Sequence, residues 1–277
     1  MRSMKELFCR PVEGYQYRYE MHCHNNWCSA CAHNAPQEIA QAYYSAGYAG
    51  MVITDHLLLG SSAVDRRLPW KEKMEAYWAA YQAAKDWAAK QARDFVVLFG
   101  LEHHYGAGKE VLTYGIDLDF LLAHPDLHLL PLEEYRRVVN QAGGLVVMAH
   151  PYRHADYIDD TVQPRPECLD GAEVFNAGNT EEENLQALEL AREHHLLMTS
   201  GGDVHTIHDA SIGQAGMAFP TPIRTGEELR VSGPVRRASP QSKPWSWRPK
   251  MGRASRMLAV TKSGRQPSKS PGTTPGW

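Results

Sequence analysis

Several histidines in this chain stand next to acidic residues at spacings that suit metal chemistry. In Glu20-Met21-His22-Cys23-His24 the two histidines are two positions apart. On an extended strand, residues two apart face the same way, so both imidazoles project to one side, as a shared cation requires. Asp203 and His205, in Ser200-Gly201-Gly202-Asp203-Val204-His205, repeat that spacing, and the two glycines allow tight backbone turns beside ions. Thr54-Asp55-His56, Gly100-Leu101-Glu102-His103 and Met148-Ala149-His150-Pro151 each follow a short apolar run. A carboxylate such as Glu102 can bridge two cations, with neutral imidazoles completing their shells. His103 and His104 are adjacent, so at most one of them shares the side of the site. Arg153, close behind His150, is a candidate for bidentate contact with a phosphate. Any one of these pieces is equally well read as exposed histidines or a surface ion pair. Five of them together, each at the end of a strand, predict a metal site.

The elements that must position these residues alternate. Short apolar strands are expected at Tyr17–His24, Gly50–Thr54, Phe95–Phe99, Val111–Ile116, Gly144–Met148, Ala172–Phe175 and Leu196–Thr199. Helices are expected near Pro36–Ala46, Pro69–Gln91, Leu132–Gln141 and Glu181–His194, the first with proline in its opening turn. Such βα alternation predicts an α/β fold, and seven strands suit a barrel, whose strand C-termini gather the active site.

The composition narrows the function classes. The 277 residues include 43% hydrophobic residues, enough for a core, and 14 histidines, roughly twice the usual share. No apolar run approaches the ~20 residues of a membrane helix, and the first residues lack the apolar block of a signal peptide, so a cytoplasmic protein with no membrane partner is expected. Five unevenly spaced cysteines argue against a disulfide framework, and Cys28-x-x-Cys31 without a second pair is weak evidence for structural zinc. No nucleophile elbow and no phosphate-binding glycine loop occurs.

The charge divides the chain. Residues 231–277 contain ten Lys or Arg and no acid, while the first 230 hold the remaining 19 bases and all 32 acids, a net −13. A metallohydrolase domain over 1–230 and a basic, Pro/Ser/Gly-rich, disordered tail over 231–277 are expected. The tail reads either as an arm that touches nucleic acid through phosphates or as sequence never selected to fold. Thr225-Gly226-Glu227-Glu228-Leu229 opens a helix with a capping box that the following residues do not continue, which favours the second reading.

In this order, His22-Cys23-His24, Ile53-Thr54-Asp55-His56, Gly100-Leu101-Glu102, Ala149-His150-Pro151 and Gly202-Asp203-Val204-His205 resemble the PHP (polymerase and histidinol phosphatase) superfamily. Tyr44–His56, Tyr114-Gly115-Ile116-Asp117 and Glu173-Val174-Phe175-Asn176 also fit, and the resemblance spans about residues 15–229. It implies a distorted (β/α)7 barrel that carries two or three divalent ions, Zn, Mn or Fe, and hydrolyses phosphate esters. By resemblance His22, His24, Glu102 and Asp203 hold one ion, Glu102 bridges to a second that His150 also binds, and His56 and His205 hold a third. Glu110 stands where many members have a histidine. Cys31 and His33 are candidate replacements for a ligand that usually follows the first histidine pair.

The function this predicts is hydrolysis of a small phosphorylated substrate by metal-activated water, with Arg153 on the phosphate and Asp55 orienting water or protonating the leaving oxygen. Two alternatives stand beside it. One is an amidohydrolase-like C–N hydrolase, disfavoured because no lysine lies at a strand end. The other is a non-catalytic metal-binding module whose tail binds nucleic acid.

Overall fold

The computed structural model describes residues 14–232 and the pair Arg256–Met257. All seven expected strands are present: β1 (Tyr17–Cys23), β2 (Gly50–Ile53), β4 (Val96–Gly106), β5 (Lys109–Tyr114), β6 (Leu145–Met148), β7 (Gly171–Asn176) and β8 (Leu197–Gly201). Three short strands join them: β3 (His56–Leu57), β9 (Met217–Phe219) and β10 (Arg256–Met257). The sheet runs β10-β9-β1-β2-β4-β5-β6-β7-β8, with β3 beside β4. Beyond β8 the chain returns to β1: Val204 bridges Cys23 in parallel, His24 N donates to Val204 O at 2.9 Å, and Asp203 N donates to His22 O at 2.7 Å. The sheet is therefore a nearly closed ring.

Helices α1 (Pro36–Ser45), α2 (Trp70–Ala88), α3 (Leu118–Ala123), α4 (Leu132–Gln141), α5 (Glu181–Glu193) and α6 (Gly226–Ser232) complete the elements. Their ends follow local chemistry. Thr180 caps α5 and Glu183 reaches back to the Thr180 amide at 2.7 Å, a full capping box. At α6, Thr225 Oγ1 accepts from Glu228 N at 3.1 Å, as the sequence pattern predicts. α2 packs its aromatic face on the sheet, with Trp78 and Tyr81 against Phe99 at ring separations of 5.1 and 5.7 Å.

The barrel departs from a simple βα repeat at one place. β4 and β5 are joined by a hairpin, not a helix, and both β4/β5 and β5/β6 are antiparallel. The turn uses Gly106, Ala107 and Gly108, all at positive φ. Because β4 continues into this hairpin, Glu102 lies within the strand instead of just past its end. The two-residue period then sends His103 outward, stacked on the Tyr135 ring of α4 at 4.5 Å, while His104 lines the inner cleft. Except for the end of α6 and the pair in β10, the basic tail lies outside the described residues.

Candidate metal centre

Glu102 is the hub. Its Oε1 lies 3.2 Å from His22 Nε2 and 3.1 Å from His150 Nε2, and its Oε2 lies 3.4 Å from His24 Nε2 and 3.0 Å from His56 Nδ1. Asp203 Oδ1 is 3.3 Å from His22 Nε2 and 3.1 Å from His24 Nε2. Glu110 reaches His56 Nδ1 at 3.3 Å and His150 Nε2 at 3.6 Å. His205 joins His24 and His56, with donor atoms of the three within 4.8 Å of one another. Strands β1, β3, β4 and β5 and the segments just after β1, β6 and β8 thus bring all eight expected ligands together, though they are scattered over the sequence.

These spacings fit cations. A tetrahedral ion at 2.0–2.1 Å from each ligand sets ligand atoms roughly 3.3 Å apart. Hydrogen bonds do not account for the packing: His22 Nε2, His56 Nδ1 and Glu102 Oε2 are buried without a hydrogen-bond partner. Such orphaned polar atoms are costly unless something binds them. The remaining nitrogens are held from behind. His22 Nδ1 lies 3.1 Å from Glu173 Oε1, and Glu173 Oε2 accepts from the His150 amide at 3.0 Å and from Asn176 Nδ2 at 2.9 Å. His205 Nδ1 donates to its neighbour Asp203 O at 2.8 Å, leaving Nε2 as the free donor atom. Tyr77 of α2 donates to His56 O at 2.8 Å and accepts from Leu58 N at 3.2 Å, fixing the segment that carries His56.

Ionisation states follow from this crowding. Burial alone would raise the Glu102 carboxyl, but His22 and His56 hold it well below the usual range. Asp203 is likewise buried and likewise depressed, by His22 and Arg153. Burial, with His56 alongside, pushes His24 down to about 3, so it is neutral. Burial opposes a proton on His22, yet Asp203, Glu102 and Glu173 raise it well above its ordinary value. Ionised carboxylates and a neutral His24 are the metal-binding forms, and a cation would displace the proton of His22.

Two of the expected ligands hold left-handed backbone, His150 at φ 29° and Asp203 at φ 54°. Non-glycine residues take this conformation at some cost, and here it turns each side chain back into the ring. Beneath them, Glu20 Oε1 accepts from the amides of Met21, His22 and Gly202 at 2.9, 2.8 and 2.7 Å, pinning β1 to the Asp203 turn. Sequence reasoning assigns no role to Glu20; it lies two residues before His22, yet its partner Gly202 is remote in sequence.

Above the cluster is a cleft of about 430 Å³ lined in part by His56, Glu102, Glu110, Arg153, Tyr157 and His205. Arg153 is held rigidly there: Nε donates to Asn179 Oδ1 at 2.9 Å, Nη1 to Asp203 Oδ2 at 2.6 Å and Nη2 to Asn176 Oδ1 at 2.9 Å. A guanidinium has five N–H donors, so two stay uncommitted. Asp55 is not brought to the cleft. It is buried, its Oδ1 accepts from Asn25 N and Ser29 Oγ at 2.8 Å each, and its Oδ2 accepts from Asn25 Nδ2. Its carboxylate braces the loop after β1, in place of the expected role in proton transfer. His33 is exposed, whereas Cys31 lines the cleft.

No protein-family model matches the sequence, and no curated protein matches it. Solved structures do. A two-domain protein from Bacteroides vulgatus containing a predicted PHP-like metal-dependent phosphoesterase matches with TM-score 0.50 and 17% identity, over 72% of this chain and 55% of that one. PsfC from Pseudomonas syringae matches with TM-score 0.53 and 16% identity, over 89% of this chain and 92% of that one. Endonuclease Q, solved with a duplex bearing an abasic lesion, matches with TM-score 0.52 and 13% identity, over 78% of this chain and 56% of that one. The chain thus spans just over half the length of the first and third. The nearly closed α/β barrel of this chain is thus the fold of the structure that contains a predicted PHP-like phosphoesterase.

Proposed function

We propose that this chain is a metal-dependent phosphoesterase acting on a small phosphorylated substrate. The observation that carries this is the convergence of eight acidic and imidazole side chains on one cluster in which three buried ligand atoms, His22 Nε2, His56 Nδ1 and Glu102 Oε2, lack hydrogen-bond partners. His22, His24, Glu102, Glu110, His150 and Asp203 would hold two divalent cations, Glu102 between them, with His56 and His205 toward a third. The chemistry that Zn, Mn or Fe would supply there is activation of water near neutral pH and neutralisation of phosphoryl charge. The chain's own part is positional. Glu173 and Glu20 fix the imidazoles and the Asp203 turn. Arg153, anchored by two asparagines and Asp203, directs its two uncommitted N–H groups at a phosphate. The net −13 of the first 230 residues supports a small substrate over a long polyanion.

The test is turnover of a panel of phosphomonoesters and phosphodiesters by the full chain with Mn, Zn or Fe supplied. Activity that appears with metal and disappears with a chelator is expected. Bound metal with no turnover on any phosphate ester would defeat the reading. Arg153→Lys is expected to lower kcat/KM by roughly 10²-fold, the scale of losing one oriented donor, because an ammonium cannot keep three fixed anchors and a fork. An unchanged kcat/KM in steady-state assays would remove Arg153 from the phosphate site.

A further inference from the structure

Exposed apolar side chains scattered singly over a surface are ordinary. Among the described residues four large ones stand exposed, Trp27, Leu59, Leu129 and Tyr157, and two of these line the cleft above the cluster. They are Leu59, 44% exposed, and Tyr157, 60% exposed. Leu57 and Leu58, just before Leu59, are buried in the core, so the third leucine of the run is the one turned to the cleft.

The backbone that carries Tyr157 is held on both sides. His154 N donates to Glu183 Oε1 at 2.8 Å, Ile158 N to Ala155 O at 2.9 Å, and Asp159 N to Ala107 O at 3.0 Å in the turn of the β4–β5 hairpin. Tyr157 also passes so close to Gly108 that an added Cβ there would overlap its carbonyl oxygen. Ile158 beside it is buried. Leu59 is held likewise, with Leu58 N donating to the Tyr77 hydroxyl at 3.2 Å and Gly60 N to Leu57 O at 3.0 Å. A tyrosine ring on a fixed backbone offers a large contact face at little cost in conformational freedom.

The cleft of about 430 Å³ is larger than a phosphate needs, and clefts of ~300–1,000 Å³ take whole small molecules. Arg153 and the cluster give it a charged end, Gly60, Ser61 and Gly108 keep part of its wall small, and Tyr157 and Leu59 add apolar surface. Aromatic faces attract other flat rings beyond the area they bury.

We propose that Tyr157 sets the specificity of the site by stacking on a flat aromatic ring in the organic part of the substrate. This rests on the phosphoesterase reading above and narrows its substrate class to ring-bearing phosphate esters.

The test uses the full chain loaded with Mn²⁺ and two pairs of probes that differ only in a ring. Calorimetry compares 2-phenylethylphosphonate with ethylphosphonate, which bind without turnover, and kinetics compares the corresponding phosphate esters. Wild type is expected to favour the ring-bearing member of each pair by roughly 10-fold, the scale of one aromatic stack. Tyr157→Ala should remove most of that ratio, and Tyr157→Phe should keep it, which separates the ring face from the hydroxyl. Equal affinity for the two phosphonates in wild type, or an undiminished ratio in Tyr157→Ala, would overturn the proposal and leave the phosphoesterase reading intact. Failure to bind either phosphonate would overturn the proposal as well, and the phosphoesterase reading falls with it only if the phosphate esters also go unhydrolysed.

Discussion

Glu102→Gln is expected to lower turnover by roughly three orders of magnitude, about 4 kcal/mol of transition-state stabilisation, and to reduce bound metal. Glutamine keeps the shape of glutamate but carries no charge and has one acceptor oxygen in place of two. Both Glu102 oxygens are engaged, Oε1 between His22 and His150 and Oε2 between His24 and His56. No other residue of the cluster faces four imidazoles. Losing an outer partner of a ligand costs about 10–100-fold, and losing the shared carboxylate should exceed that. The fold should survive, since the side-chain volume is kept. Measured kcat, metal content and circular dichroism check this. A folded Gln variant with full metal and full turnover would remove Glu102 from the centre.

A second large effect needs no change to any ligand. Gly201→Ala places a methyl group on top of the His22 Cβ, within 2.7 Å of Glu173 Oε1 and 3.0 Å of His22 N. Neither neighbour can yield cheaply. His22 is fixed on β1, and Glu173 holds His22 Nδ1 and the His150 amide together. Overpacking of this kind costs about 1–3 kcal/mol. The displacement falls on the residues that orient two expected ligands, so metal content and activity should fall by 10-fold or more, on the scale of losing an orienting partner. Thermal unfolding and elemental analysis read the two effects separately. Wild-type metal content in this variant would show that the His22–Glu173 pair tolerates movement that the geometry does not.

Much of this site is legible from short-range spacing. His22 and His24 on β1, and Asp203 near His205, are visible because a strand's two-residue period is written into adjacent positions. The seven strands are legible because each is an apolar run bounded by turn residues. β3 and β9 are not, since two or three residues carry no period. The β4–β5 hairpin leaves a signal in Gly106-Ala107-Gly108, but strand–helix alternation elsewhere masks it. Contacts that support the ligands are invisible for a different reason. Glu20 with Gly202, Glu173 with His22, and Arg153 with Asn176 and Asn179 pair residues that only the closed ring brings together. Asp55 misleads because its position beside His56 looks catalytic, whereas Asn25 and Ser29 fold back and occupy its oxygens.

The return of residues 202–205 to β1 has a mechanical consequence. The strands there are joined by a few hydrogen bonds from backbone amides, and the same few residues supply Asp203 and His205. An ion gripped by His24 and Asp203 would staple positions 179 residues apart in the chain. It would act as a clasp on the first and last staves of the cask, and long loops are where such a fastening removes the most freedom from an unfolded chain. Unlike a disulfide, this fastening opens to a chelator.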